Sequence, residues 1–350
     1  MGKMINRYLK KLEHHPVIYI KPTDLINKHS LNKHEFDLNG DWDKLGSHIT
    51  TGFIFRSFAQ RLKGIPWEDT LLYKRKRRLG QRWLKKLPIW DSMLDDIVSN
   101  GYTQQPNTDP IDEYISILIG RDGHMFIYNG IHRLCCCLLS KKVDHIPVKV
   151  ILRHTEWAKF KQSCKAYADR RNGLYAQIPH PDLEHIMYNW TNERAELIAK
   201  NSNYPNGTVV DLGSHWGTSS YILAQHGFKV TAIERSKNHF NKLTKISNLP
   251  GKSFNRMKGD FTLYDFDIDT LVALNIFHHF IIDKQKRKVL RNFLLANTCK
   301  EIFYQSHKED DKWSPYMKPV EMREMIMECT NKTTYKELAN FNGRRLYHLT

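Results

Sequence analysis

The sequence predicts an α/β protein built in two halves, an α+β half followed by a doubly wound half with a mostly parallel sheet. Three observations carry this. Between Thr208 and Thr218 a β-branched run, Val209 and Val210, stops at Asp211 and Gly213, and a helix with a hydroxyl-rich start follows Gly217. From there onward apolar runs alternate with amphipathic stretches, the order expected of parallel strands and covering helices. Upstream, residues 114–152 read as hairpin, helix and strand. The implied division is 1–155, a helical connector 156–204, and 205–350.

In chain order, residues 1–15 are polar and basic and are expected to form a short helix or arm. Val17–Ile20 reads as a strand, followed by Pro22, and Gly40-Asp41 and Gly46-Ser47 read as turns. Trp67–Leu87 is expected to be mostly helical. It holds Lys74, Arg75, Lys76, Arg77, Arg78, Arg82, Lys85 and Lys86, with no acid from Tyr73 to Lys86. Trp90–Asn100 reads as a helix with Met93, Leu94 and Ile97 on its apolar face and Gly101 as its stop. Tyr114–Ile119 and His124–Tyr128 are strands joined by the turn Gly120–Gly123. Asn129-Gly130 leads into a helix over 131–140, and His145–Leu152 is a further strand.

Lys159–Arg170 is expected to be helical, with Asn172-Gly173 as a break and Pro179-His180-Pro181 as punctuation. Asp182–Lys200 reads as one amphipathic helix. Strands are then expected at 208–212, 229–233, 253–257, 270–275 and 301–306, and helices at 218–226, 237–246, 283–296 and 319–329. The chain ends on a hairpin, Thr334–Leu338 and Arg345–Leu349, turning at Asn342-Gly343.

A strand, a glycine turn and a helix N-terminus make a nucleotide site, because the backbone can approach a ligand and unpaired N–H groups face it. There is no Walker lysine, and His215 stands where a dinucleotide motif would have its middle glycine. Glu234, at the end of the second strand, is placed to accept hydrogen bonds from ribose hydroxyls. Together, Asp211, Gly213, Gly217, Glu234, Gly259-Asp260-Phe261 and Leu271–Asn275 resemble the motifs of class I S-adenosylmethionine-dependent methyltransferases. That resemblance covers 205–350 and implies a Rossmann-like seven-stranded methyltransferase sheet binding S-adenosyl-L-methionine. It assigns Asp211, Gly213, Gly217, Glu234, Asp260, Phe261 and Asn275 to the cofactor, with Asp260 meeting the adenine. His215 either sits in a tight turn or lies over the cofactor.

Residues 85–153 resemble the ParB/sulfiredoxin-like domain, in which a Gly-x-x-Arg turn and a helix N-terminus hold a phosphate. Gly130, His132 and Arg133 match that turn and imply phosphate binding. Ile131 stands where a sulfiredoxin has its reactive cysteine, and no helix-turn-helix follows, so neither of those activities is expected.

The chain has 350 residues and a formal charge of +17, enough for two sizeable cores. The basic stretch 73–86 could neutralise phosphates of RNA or another polyanion, or form a solvated helix face. No apolar run approaches the roughly 20 residues of a membrane span, and neither a secretory leader nor a myristoylation site is expected at Met1–Arg7. Six cysteines, three of them adjacent (Cys135, Cys136, Cys137), fit neither zinc spacing nor a disulfide framework. They are expected to be buried thiols in a cytoplasmic protein with no metal. Oligomeric state is left open.

A methyltransferase needs alignment and, where the acceptor loses a proton, a base. The loop after the fourth strand offers Asn275, His278 and His279, with either histidine as base or substrate contact. That loop has no proline pair, which excludes the motif of DNA-base N-methyltransferases, and no Pro-Cys nucleophile is present. A small molecule, a glycan or RNA remains as acceptor, and an anionic one would suit the basic chain. Two rival readings stand beside this. The ParB-like half could be a nucleotide-dependent kinase or nucleotidase, or the chain could bind polyanions through a basic scaffold with an inert methyltransferase-like half.

Overall fold

A computed structural model of the chain describes residues 16–28, 39–44, 46–77, 81–102 and 114–350. The arm expected over 1–15 lies outside these residues, as does Arg78 of the basic stretch. Two units emerge, one of residues 1–166 with His180–Leu183, the other of Tyr167–Pro179 with Glu184–Thr350. Residues 156–204 are divided between these two units.

The first unit is built on a mixed six-stranded sheet. Its strands are β1 (Val17–Ile20), β2 (Leu25–Lys28), β3 (Gly46–His48), β4 (Ile115–Ile119), β5 (Met125–Asn129) and β6 (Ile146–Arg153), in the order β1-β6-β4-β5-β2-β3. Gly46-Ser47 is thus paired strand, held antiparallel to Ile26–Lys28, where the sequence suggested a turn. Every residue of β4 is buried, Ser116 among four aliphatic side chains, as befits a strand inside the sheet. Helices α1 (Phe53–Leu62), α2 (Leu71–Lys76), α3 (Gln81–Leu84), α4 (Leu87–Asn100) and α5 (Ile131–Leu139) complete this part, so Trp67–Leu87 is broken into short helices. The rings of Phe58, Trp67 and Trp90 pack together, and Cys135, Cys136 and Cys137 are buried on α5.

Helix α6 (Thr155–Arg171) follows, with the division between the units falling inside it. Within the first unit, Asp182 is fully buried and closes a charge cluster. Arg153 grips it through Nε and Nη2 at 2.8 and 2.6 Å, Lys161 Nζ donates at 2.8 Å and Trp157 Nε1 at 2.9 Å. Pro-His-Pro-Asp therefore marks an anchor, and the helix expected from Asp182 cannot begin there.

The second unit supplies β7 (Leu174–Ala176) and β8 (Tyr188–Trp190), a parallel pair. Tyr188 and Trp190 take the strand their aromatic side chains favour, and helix α7 starts only at Glu193, ending at Asn201. A seven-stranded sheet follows, with β9 (Thr208–Leu212), β10 (Lys229–Glu234), β11 (Asn255–Lys258), β12 (Asp267–Leu274), β13 (Thr298–Gln305), β14 (Tyr335–Phe341) and β15 (Arg344–Leu349). Its order is β11-β10-β9-β12-β13-β15-β14, parallel except for the last hairpin. Between the strands run α8 (Thr218–Gln225), α9 (Lys237–Ser247), α10 (Lys284–Ala296) and α11 (Pro319–Thr330). This is the sheet the sequence resemblance implies, with strand ends displaced by up to three residues.

The Asp182 cluster sets a stability expectation. Burial alone would raise the carboxyl pKa, but Arg153 and Lys161 hold it down to about 2. A depressed carboxylate stabilises the fold above its unfolded pKa and loses that contribution as pH falls from about 4 to about 2. Asp182→Asn is expected to cost about 3 kcal/mol at neutral pH, read by urea unfolding, because two cations lose their counter-charge. A cost below about 1 kcal/mol would show the cluster to be incidental.

Candidate functional site

β9 is the pivot of the second sheet. β10 and β11 lie to one side of it, β12 and β13 to the other, so the winding reverses between β9 and β12. At such a seam the loops leave a crevice beyond the carboxyl ends of the strands. A cavity of about 740 Å³ occupies it, lined by residues from the ends of β9, β10, β11 and β12.

Of the residues assigned to a cofactor, Asp211, Gly213, His215, Glu234, Asp260, Phe261 and Asn275 line this cavity. Gly217 does not. It takes a left-handed φ of +78° as the N-cap of α8, and a Cβ there would come within 2.2 Å of Leu243 Cδ1. Its glycine is required by backbone angle and by packing against α9, not by an approaching ligand.

Glu234 organises the loops. One carboxylate oxygen accepts from the backbone N–H of His215 at 3.0 Å, the other from that of Ser236 at 2.6 Å. The β9 loop and the β10 end are thereby tied to one side chain. His215 has φ +55°, and its ring is stacked on Trp216, 5.5 Å away and tilted by 9°. Burial, then the nearby His239, pushes its pKa down to about 3, so the ring is neutral at physiological pH. Asp260 caps the turn after β11, accepting from Thr262 N at 3.1 Å and Thr262 Oγ1 at 2.8 Å, and Arg235 Nη1 lies 3.3 Å from its other oxygen. The side chain of Phe261 packs in the core against Phe280 and Phe293.

Asp211 is 3% exposed and accepts from Ser220 Oγ at 2.5 Å. Burial raises its pKa to about 6, against the opposing pull of that hydrogen bond and of Arg194. At the neighbouring strand end, Asn275 has φ +56°. Its Nδ2 donates to Tyr175 Oη at 3.1 Å and its Oδ1 accepts from Arg344 Nη1 at 3.2 Å, while Arg344 Nη2 pairs with Asp311 at 2.8 Å.

The two histidines after β12 part company. His279 lines the cavity. Partial burial, then Lys312, Arg235 and Arg344, lower its pKa. His278 is 6% exposed, lies outside the cavity lining and packs on the rings of His279 and Trp313. Burial pushes it to about 3. It is a packing residue, placed under the turn by the short helical segment Phe277–Phe280.

Sequence reasoning missed Tyr175, Arg194, His239, Lys286 and Trp313, all of which line the cavity. A signal existed for Arg194. It precedes Ile198 by four residues on the buried face of α7, where a core side chain is expected.

In the first unit, Gly130, His132 and Arg133 line a separate cavity with Trp90 and Asp96. Gly130 takes φ +91° as the N-cap of α5, and a Cβ there would meet Ile115 at 3.1 Å. The His132 ring stacks on Trp90 at 4.2 Å, and burial lowers its pKa to about 4. Neutral and stacked, it does not supply the charged donor expected of it, which leaves Arg133 as the cation of that turn. Among the described residues, no group of acids, histidines and cysteines could hold a metal ion, and no helix is long and apolar enough to cross a membrane.

No family model matches the chain. No curated protein matches it either. Solved structures similar to it include monomeric WbdD, at 20% identity and a TM-score of 0.42 over 51% of this chain. WbdD is a bifunctional kinase-methyltransferase. The chain spans under half the length of that protein, 46%. Another is magnesium protoporphyrin IX methyltransferase from Synechocystis PCC 6803 with bound SAM, at 17% identity and a TM-score of 0.36, covering 45% of this chain and 75% of that one. A protein from Anabaena variabilis ATCC 29413 named as a putative methyltransferase from an antibiotic biosynthesis pathway is similar at 16% identity and a TM-score of 0.34, covering 41% of this chain and 64% of that one.

The buried acid gives a test of the cavity's electrostatics. With its pKa at about 6, Asp211 holds a proton in the fold that the unfolded chain releases near pH 4. Stability contributed by this group is therefore lost as pH rises from about 4 to about 6, and stays lost above. Asp211→Asn is expected to gain about 1–3 kcal/mol in urea unfolding at pH 7.5 and almost nothing at pH 4. An equal effect at both pH values would contradict this.

Proposed function

We propose that the second unit is an S-adenosyl-L-methionine-dependent methyltransferase. The observation that carries this reading is the convergence of Asp211, Glu234 and Asp260, each from the end of a successive strand, on one cavity at the seam of the sheet. When bound, the cofactor supplies a methyl group on a sulfonium, open to in-line attack by a nucleophile.

The donor set suits such a ligand. Glu234 already accepts two N–H groups and keeps further lone pairs for ribose hydroxyls. Asp260 and the backbone at Phe261 stand at the adenine end. Neutral His215 offers a flat wall beside Glu234. At the far end, Asn275 and Tyr175 would position the acceptor. His279 would take its proton, since burial, then Lys312, Arg235 and Arg344, keep the ring unprotonated. The same cations, with Lys286 on the lining, support an acceptor that bears negative charge, such as a phosphorylated small molecule or glycan, or RNA. In the first unit, Gly130 and Arg133 remain our candidates for a phosphate-bearing group. Six free cysteines support a reducing, cytoplasmic setting.

Calorimetric titration with S-adenosylhomocysteine tests the donor site. Micromolar binding is expected for the parent, with a loss of roughly tenfold or more in Glu234→Gln. No binding by the parent would end the reading. Labelled-methyl transfer onto extract fractionated into RNA, protein and small molecules would then name the acceptor class. In that assay His279→Gln is expected to slow transfer roughly 100-fold at neutral pH while leaving homocysteine-ligand affinity unchanged. An unaltered rate would remove His279 as the base.

A further inference from the structure

The proton of the Tyr175 hydroxyl has its direction fixed from behind. Arg344 can only donate, so the Asn275 atom that meets its Nη1 at 3.2 Å is the carbonyl Oδ1. Arg344 is itself held by Asp311, 2.8 Å from its Nη2. The amide of Asn275 is thereby turned, and its Nδ2 donates to Tyr175 Oη at 3.1 Å. A phenol oxygen that accepts this bond keeps its own proton for another partner. Among the described residues no second group hydrogen-bonds to the hydroxyl, and Tyr175 lines the cavity.

The rest of this end of the cavity has the same polarity. The Asn275 carbonyl is already taken by Arg344, Lys286 is on the wall, and Lys312 and Arg344 act on His279 from nearby. The carboxylates among the lining residues are Asp211, Glu234 and Asp260, which belong to β9, β10 and the turn after β11. None comes from the loop after β12. His279 differs from its surroundings. It lines the cavity with its ring 5.4 Å from that of Trp313, and a neutral imidazole keeps a lone pair on one nitrogen.

Resting on the donor reading above, we infer that the methyl acceptor is the oxygen of a hydroxyl group, held by Tyr175 and deprotonated by His279. A hydroxyl oxygen has two lone pairs and one proton. One pair accepts the Tyr175 O–H, the proton lies against His279, and the second pair attacks the methyl carbon. As the O–C bond forms, the C–S bond breaks and its electron pair stays on sulfur, giving a neutral thioether. The hydroxyl proton passes to His279. A neutral amine has a single lone pair, and spending it on the methyl group leaves the Tyr175 hydroxyl unpaired. The site therefore selects oxygen over nitrogen, and the nearby cations stabilise the negative charge that develops on the oxygen.

Two measurements on the full chain test this. In the first, S-adenosyl-L-methionine with an NMR-visible isotope in its methyl group is incubated with the fractionated extract, and the linkage of the labelled methyl is read from its chemical shift. A methyl ether is expected. A methyl ester, which needs no base, or an N-, S- or C-methyl product overturns the inference and leaves the donor site standing. Tyr175→Phe keeps the ring beside His215 and Arg194. It is expected to slow transfer roughly tenfold or more, with S-adenosylhomocysteine affinity within about twofold of the parent. An unaltered rate overturns the role of the hydroxyl and the inference with it. The second measurement needs no acceptor. In a crystal structure with S-adenosylhomocysteine, one water oxygen is expected within hydrogen-bond distance of both Tyr175 Oη and a ring nitrogen of His279. Two groups too far apart for one oxygen to reach both would overturn the inference. If the parent does not bind S-adenosylhomocysteine in calorimetry, the donor reading itself falls and takes this inference with it.

Discussion

A parallel sheet that winds outward in both directions from one strand cannot be covered at the seam. Helices from β9 toward β10 pack on one face, and those beyond β12 on the other, so the carboxyl ends of β9 and β12 face an opening. Every feature of the candidate site follows from that geometry. The strand ends there carry acids, the loops carry left-handed residues (Gly213, His215, Gly217 and Asn275), and Glu234 ties two of the loops together. The first helix after the seam, α8, is aimed by Gly217 and held against α9, so its N-terminal residues Thr218 and Ser219 line the opening.

Three buried carboxylates show how the fold separates support from function. Glu301 is fully buried in the second unit and accepts from Ser202 Oγ, Asn203 N, Thr270 Oγ1 and His348 Nε2. Burial would raise its pKa, but those four partners lower it. Asp182 in the first unit is satisfied in the same way by two cations and an indole. Asp211 has one hydroxyl, and its pKa goes up instead. A buried acid with a single hydroxyl partner on a cavity wall is a state the fold tolerates at a cost.

The strands of the second sheet were legible because their apolar runs are long and their helices carry clear periodicity. The acids at the strand ends were legible for the same reason, since each sits where an apolar run stops. What was not legible depended on distant pairing. Tyr188–Trp190 pairs with Leu174–Ala176, and a helical pattern through Leu183, Ile186 and Met187 hid it. That pair carries Tyr175, which is why the partner of Asn275 went unseen. His278 and His279 are identical in sequence terms, and only the turn of the Phe277–Phe280 segment sends one inward and the other to the cavity. His132 likewise stacks on Trp90, forty-two residues earlier in the chain, and burial there lowers its pKa.

The central claim is that the crevice beside β9 holds an adenosyl sulfonium donor. A crystal structure with S-adenosylhomocysteine tests it most directly. The account requires ribose hydroxyls on Glu234, the adenine edge at Asp260, and sulfur toward Asn275. Ligand bound elsewhere, or a crevice that stays closed at saturating concentration, would contradict it.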